Sequence, residues 1–155
     1  MKGEYEMKLT AFVDGACSKN GTSQAKAGWG FVILDENENL IAEGSGGIDN
    51  GTNNIGELTA IIKAIEAAAV FNAERLQIVS DSAYCINGIT NWRHNWKKNG
   101  WWRDAAHKQE LKNKELWMQL DALIDTSIMD FMKVAGHSGV KWNEYVDKLA
   151  VFHTK

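Results

Sequence analysis

Gly28-Trp29-Gly30-Phe31-Val32-Ile33-Leu34, then Asp35-Glu36-Asn37, then Leu40-Ile41-Ala42 is the stretch whose reading decides the fold. The first run is apolar and rich in β-branched and aromatic residues, the middle is made of turn formers, and the last run is apolar again: a strand, a turn and a second strand. Upstream, Leu9, Ala11 and Val13 alternate with less apolar residues from Met7 to about Ala16. This period of two predicts another strand, ending at Asp14-Gly15. The three together predict an antiparallel meander.

Beyond it the period changes. Gly44 to Gly51 reads as a Gly-rich loop, and from Asn54 onward Leu58, Ile61, Ile62, Ile65 and Ala69 recur at helical spacing. Leu76 to Ser80 reads as a buried strand, Ser82 to Ile89 as a short helix, and a polar Trp-rich segment follows. Asn113 to Ile124 predicts an amphipathic helix, Ile128 to Val134 a fifth strand, and Asn143 to Phe152 a closing helix with Tyr145, Leu149 and Phe152 as core contacts. A meander followed by alternating elements predicts an α/β fold: a five-stranded mixed sheet, its first three strands antiparallel, flanked by helices.

At 155 residues the chain suits one domain, 1–155. With 45% hydrophobic and 24% charged residues, its composition is that of a globular protein and excludes a disordered one. No apolar run approaches the length of a membrane span, and the polar start from Met1 to Met7 lacks the apolar core of a signal peptide. A cytoplasmic location is therefore expected. Cys17 and Cys85 are too few and too far apart for a disulfide framework or a zinc site.

Four acids stand where chemistry is expected in such a fold: Asp14 and Asp81 at strand ends, Glu57 early in the first long helix, and Asp147 on the last one. Singly, each has an ordinary structural explanation. Asp14 suits a turn, Glu57 suits a capping box with Asn54 as the cap, Asp81 suits a helix cap, and Asp147 a solvated face. Brought together they would repel, by about 4 kcal/mol for two unit charges 4 Å apart at an effective dielectric near 20, unless a cation intervened. All-oxygen ligands suit Mg²⁺ or Mn²⁺.

The motifs Val13-Asp14-Gly15-Ala16-Cys17, Thr52-Asn53-Asn54-Ile55-Gly56-Glu57-Leu58, Ser80-Asp81-Ser82-Ala83-Tyr84, Gly136-His137-Ser138-Gly139 and Asn143-Glu144-Tyr145-Val146-Asp147 resemble, in order, those of type 1 ribonuclease H. Ile89-Thr90-Asn91-Trp92-Arg93-His94-Asn95-Trp96-Lys97-Lys98 is similar to the substrate-binding extension of bacterial members. The resemblance runs from about Met7 to Ala150. It implies a ribonuclease H-like fold and hydrolysis of the RNA strand of RNA–DNA hybrids, giving 5′-phosphate and 3′-hydroxyl ends. It also implies two Mg²⁺ ions, or Mn²⁺ in their place, with Asp14 shared between them, Asp147 at the ion that activates water, and Glu57 and Asp81 at the ion facing the leaving oxygen. His137 then assists by proton transfer or release of product.

The resemblance further implies hybrid contacts by Asn20, Thr52, Asn53, Asn54 and Asn95, neutral donors and acceptors suited to the 2′-hydroxyl and groove edges. Asn-rich loops are otherwise simply good turn formers. Asn50, Ala83 and the loop Ser18 to Lys26 depart from the bacterial pattern, at positions bearing on the grip on the hybrid.

The net charge of −3 excludes a uniformly basic nucleic-acid coat. Charge is instead local: Ile89 to Trp117 carries seven cations against three acids, a net of +4, leaving −7 for the rest. Five of the seven tryptophans lie there too. Trp92, Trp96 and Trp117 are expected as anchors of this lobe, and Trp101, Trp102 and cations such as Lys97 and Lys98 as substrate contacts. A monomer with no obligate protein partner is expected. A hybrid-binding module without catalysis, or another nuclease of the same superfamily, stays open at this point.

Overall fold

The computed structural model describes residues 7–136 and 140–155. Strands β1 (Lys8–Ser18), β2 (Lys26–Leu34) and β3 (Leu40–Asp49) precede helix α1 (Asn53–Ala69) and strand β4 (Arg75–Ser80). Helices α2 (Ala83–Asn87), α3 (Arg93–Lys98) and α4 (Lys114–Leu123), strand β5 (Met129–Lys133) and helix α5 (Lys141–Phe152) follow. The sheet order is β3-β2-β1-β4-β5. β1, β2 and β3 pair antiparallel, and β4 is parallel to both β1 and β5. This is the mixed sheet expected from the sequence.

Strand alternation sends side chains to two helical layers. Leu9, Ala11 and Val13 of β1 and Phe31 and Ile33 of β2 pack under α1 and α4, where Leu58, Ile61, Trp117 and Leu120 are fully buried. Burying each such side chain contributes roughly 1.5–3 kcal/mol. On the opposite face, Val32 and Leu34 of β2 meet Val146 of α5, flanked by Phe12, Trp142 and Leu149.

Four expectations are corrected. Gly44 to Asp49 is strand, not loop: Gly44 and Gly46 leave room for the Phe31 and Trp29 rings, which a methyl group at either position would meet at 2.6–2.7 Å. The cap of α1 is Thr52, whose Oγ1 accepts from Ile55 N at 3.1 Å, so Asn54 and Glu57 form no capping box. The short helix after Asp81 is capped by Ser82 and does not stop at Ile89. It passes through a π-helical stretch, Gly88–Trp92, into α3, so the Trp-rich segment is helical to Lys98.

The fourth correction concerns α5. Val146 and Ala150 face the sheet, whereas Tyr145 and Phe152 are exposed and Leu149 is half-buried. The physical reason lies on β2, where Gly28 and Gly30 admit the α5 backbone rather than its large side chains.

Candidate active site

The parallel register of β1 and β4 pairs Phe12 with Val79. Asp14 and Asp81 each lie two residues further on, so the two carboxylates stand level at the same end of the sheet. α1 brings Glu57 to them, because Gly15 of β1 has no side chain where the Glu57 backbone passes. One oxygen from each of Asp14, Glu57 and Asp81 lies within 4.8 Å of the others. Asp147, on α5, lines the same cleft with Asp14, Asp81, Asn143 and Glu144. The four acids that the sequence scatters over more than 130 positions thus share one site. Neither Asp14 as a simple turn residue nor Asp81 as a helix cap describes what is found.

The electrostatics match the crowding. Burial, followed by the Asp81 charge, pushes the Asp14 carboxyl up to about 8. Burial and then the Asp14 and Asp81 charges push Glu57 up to about 10. Burial and mutual repulsion thus favour the protonated form of these carboxyls, and a divalent ion would replace the protons. Glu57 Oε2 is buried and has no hydrogen-bond partner among the described residues. A buried carboxylate oxygen left unpaired costs free energy, and coordination is the interaction that removes this cost. An all-oxygen acid set with one orphaned buried oxygen fits a hard divalent cation.

His137 lies outside the described residues. Its neighbour Gly136 sits against Asp81: a methyl group there would be 3.1 Å from Asp81 Oδ2. The expected hybrid contacts gather at one end of α1. Asn20 Oδ1 accepts from Asn53 N at 3.2 Å, which ties the β1–β2 loop to the helix start beside Thr52 and Asn54. Asn50 is left-handed (φ 58°), a conformation asparagine tolerates better than most residues. That requirement gives asparagine a backbone role at this departure from the bacterial pattern.

Asn95, Lys97 and Lys98 are exposed on α3, away from α1 in sequence. Trp117 is fully buried and donates from Nε1 to the Tyr84 hydroxyl at 3.0 Å. Trp96 packs edge-on to Trp117 with ring centroids 5.1 Å apart, and Trp92, expected as an anchor, is 42% exposed against Trp96. Trp101 packs partly against the core, and Trp102 stacks on His107 at 5.0 Å.

Three residues of consequence were given no role in the sequence reading, although two of them lie within a quoted motif. Asp121 of α4 receives Arg93 Nη1 and Lys97 Nζ, the latter at 3.1 Å. Burial pushes the Asp121 carboxyl up, but the Arg93 and Lys97 hydrogen bonds outweigh it and hold the group below the usual carboxylate value. Arg93 is buried and also donates from Nε to Ile89 O, so this cation braces the lobe and does not face outward. Asn143 and Glu144 are the other two; their spacing from Asp147 places them on its turn of α5, a signal available in the helical period.

A mixed sheet with an acid cluster beyond its strand ends defines an α/β protein whose site is compatible with divalent-ion binding. The RNase H family model matches residues 6–154, and the chain belongs to the ribonuclease H family, whose members hydrolyse the RNA strand of RNA–DNA hybrids. Ribonuclease H of Treponema pallidum subsp. pallidum is 39% identical over 153 residues, covering 92% of this chain and 88% of that protein. Among solved structures, LC9-RNase H1, a type 1 RNase H with the type 2 active-site motif, superposes with a TM-score of 0.82. It is 25% identical and covers 95% of this chain and 72% of that one. LC11-RNase H1, solved in complex with an RNA/DNA hybrid, has a TM-score of 0.69 at 21% identity, covering 96% of this chain and all of that chain.

Proposed function

We propose that this protein is an endonuclease that hydrolyses the RNA strand of RNA–DNA hybrids with two Mg²⁺ ions, or Mn²⁺ in their place, leaving 5′-phosphate and 3′-hydroxyl ends. The observation that carries the reading is the convergence of Asp14, Glu57 and Asp81, with Asp147 in the same cleft. These four carboxylates would hold the ions. When bound, the cations stabilise the attacking and departing oxygens of an in-line displacement.

The remaining roles belong to the chain. Glu57 and Asp14, buried against the sheet, exclude water from one side of the site. Asn20, Thr52, Asn53 and Asn54 at the start of α1 contact the hybrid, where neutral amides and a hydroxyl read the 2′-hydroxyl. His137, next to Gly136 at the Asp81 carboxylate, aids proton transfer or product release. The lobe 89–117 grips phosphates through Asn95, Lys97, Lys98 and the Trp101 edge. We assign the whole chain to one catalytic domain acting as a cytoplasmic monomer without an obligate protein partner. Among the described residues no helix is long and apolar enough to cross a membrane.

The deciding experiment offers the protein matched RNA–RNA, DNA–DNA and RNA–DNA duplexes in Mg²⁺. Cleavage confined to the RNA strand of the hybrid is expected. Binding without cleavage, or cleavage of all three, would sink the reading.

A further inference from the structure

We infer that Gly28 and Gly30 of β2 are positioning residues for the acid site: their missing side chains let α5 sit close enough to the sheet for Asp147 to join Asp14, Glu57 and Asp81. The inference rests on the proposed cation-dependent function and concerns how this chain sets the spacing of its own carboxylates.

The two glycines are two residues apart on one strand, so both face α5. A methyl group at Gly28 would lie 1.9 Å from the Ala150 carbonyl oxygen. One at Gly30 would lie 2.7 Å from Leu149 Cβ and 3.1 Å from the Val146 carbonyl oxygen. Val146, Leu149 and Ala150 surround Asp147 on the same stretch of α5. Glycine inside a strand marks close backbone approach, and here the approaching backbone carries an acid of the site.

The opposite face is seated in the same way. A methyl group on Gly15 would lie 2.2 Å from Glu57 N, and one on Gly56 would lie 2.7 Å from the Gly28 carbonyl oxygen. Both helices therefore bear on Gly28, α1 through Gly56 and α5 through Ala150. The sheet is pinched between two helices at Gly28, which pairs with Ala16, two residues along from the Asp14–Gly30 pair. The spacing of α1 and α5 here is therefore set by close backbone contacts at Gly15, Gly56 and Gly28. Ordinary contact between carbon atoms is about 3.5–4.0 Å, so Gly30→Ala must push α5 away by roughly 1 Å. Mg²⁺ demands oxygen ligands at about 2.0–2.1 Å in near-octahedral geometry and does not tolerate such a shift.

The test is direct cation binding by the full chain, Mn²⁺ titrated by calorimetry, alongside the melting temperature and hybrid affinity measured without divalent ion. Gly30→Ala is expected to weaken Mn²⁺ binding roughly tenfold or more, the size seen when a group that orients a ligand is lost. Cation-free hybrid affinity should stay within about threefold. Gly44→Ala is the control, because the three atoms its methyl group would come nearest all belong to the Phe31 ring, the first at 2.6 Å, and none to α5. It should lower the melting temperature yet leave Mn²⁺ affinity within about twofold. Adding Leu149→Gly to Gly30→Ala removes the Cβ that the new methyl meets. Mn²⁺ affinity should then recover in part while the melting temperature falls further, since glycine inside a helix costs stability.

If Gly30→Ala does not fold, Gly47→Ala replaces it. Its methyl group would meet the His153 carbonyl oxygen at 3.3 Å and His153 Cβ at 3.4 Å, at the end of α5, and a smaller loss of Mn²⁺ affinity is expected. Unchanged Mn²⁺ affinity in the folded glycine variant, an equal loss in Gly44→Ala, or no recovery in the double variant would overturn the inference. A wild-type protein that binds no Mn²⁺ would overturn the functional reading beneath it, a result distinct from all of these.

Discussion

The acid site and the basic lobe are both clusters of charge, yet they are built in opposite ways. At the site like charges are buried together, and burial pushes Asp14 and Glu57 far above the usual carboxylate range. In the lobe the buried charge is already paired: Arg93 meets Asp121, which also receives the exposed Lys97, while Lys98 stays exposed. The site is frustrated without an external cation; the lobe is self-contained. Unsatisfied charge marks where binding energy is to be gained, and satisfied charge marks where shape is held.

The largest effect should come from removing one of the two buried carboxylates of the cluster. Asp14→Asn keeps the shape and loses the charge, so cleavage in Mg²⁺ should fall below detection while hybrid binding persists. Substantial Mg²⁺-dependent activity in this variant would show that the acid cluster is not the reaction centre. Next comes His137→Ala, expected to lower turnover by roughly 100-fold or more yet leave measurable cleavage, as general acid–base assistance does. A loss as complete as that of Asp14→Asn, or none, would misplace the histidine.

The lobe responds differently. Asp121→Ala leaves the buried Arg93 guanidinium uncompensated and should cost about 3 kcal/mol in urea unfolding, since breaking a buried pair strands a charge. A cost under about 1 kcal/mol would show that Arg93 reaches water, and the contrast between the two regions would dissolve. Replacing Lys97 and Lys98 with alanine should raise KM severalfold and flatten its salt dependence, by about one unit or less of log–log slope per lost phosphate contact, with kcat nearly unchanged. An unchanged salt slope would mean that the lobe faces away from the hybrid.

The smallest effect is a pH signature. In the folded, cation-free protein burial raises the Asp14 carboxyl from its ordinary 3.8 to about 8. The folded state binds more protons across that window, so this group lowers stability as pH rises through it. A bound cation would take the place of the proton. The gain in melting temperature on adding Mg²⁺ should therefore grow between about pH 5 and pH 8. Equal gains at both ends would mean that the acids are already ionised without the ion.

Sequence alone carried the order of elements, because period two and period 3.6 are local properties written into each strand and helix. It also carried the four acids, through short motifs in register along the chain. It went astray where a side chain's fate depends on what arrives from elsewhere. The apolar look of Tyr145 and Phe152 suggested burial, but α5 turns Val146 and Ala150 inward because Gly28 and Gly30 on β2 leave room only for backbone. Arg93 reads as one more exposed cation until α4 brings Asp121 to it across 28 residues. Gly44 to Asp49 reads as loop until the Trp29 and Phe31 rings fill the space that the glycines leave. Only the tertiary structure fixes such outcomes: close approach and charge compensation are properties of pairs, and the partners lie far apart in sequence.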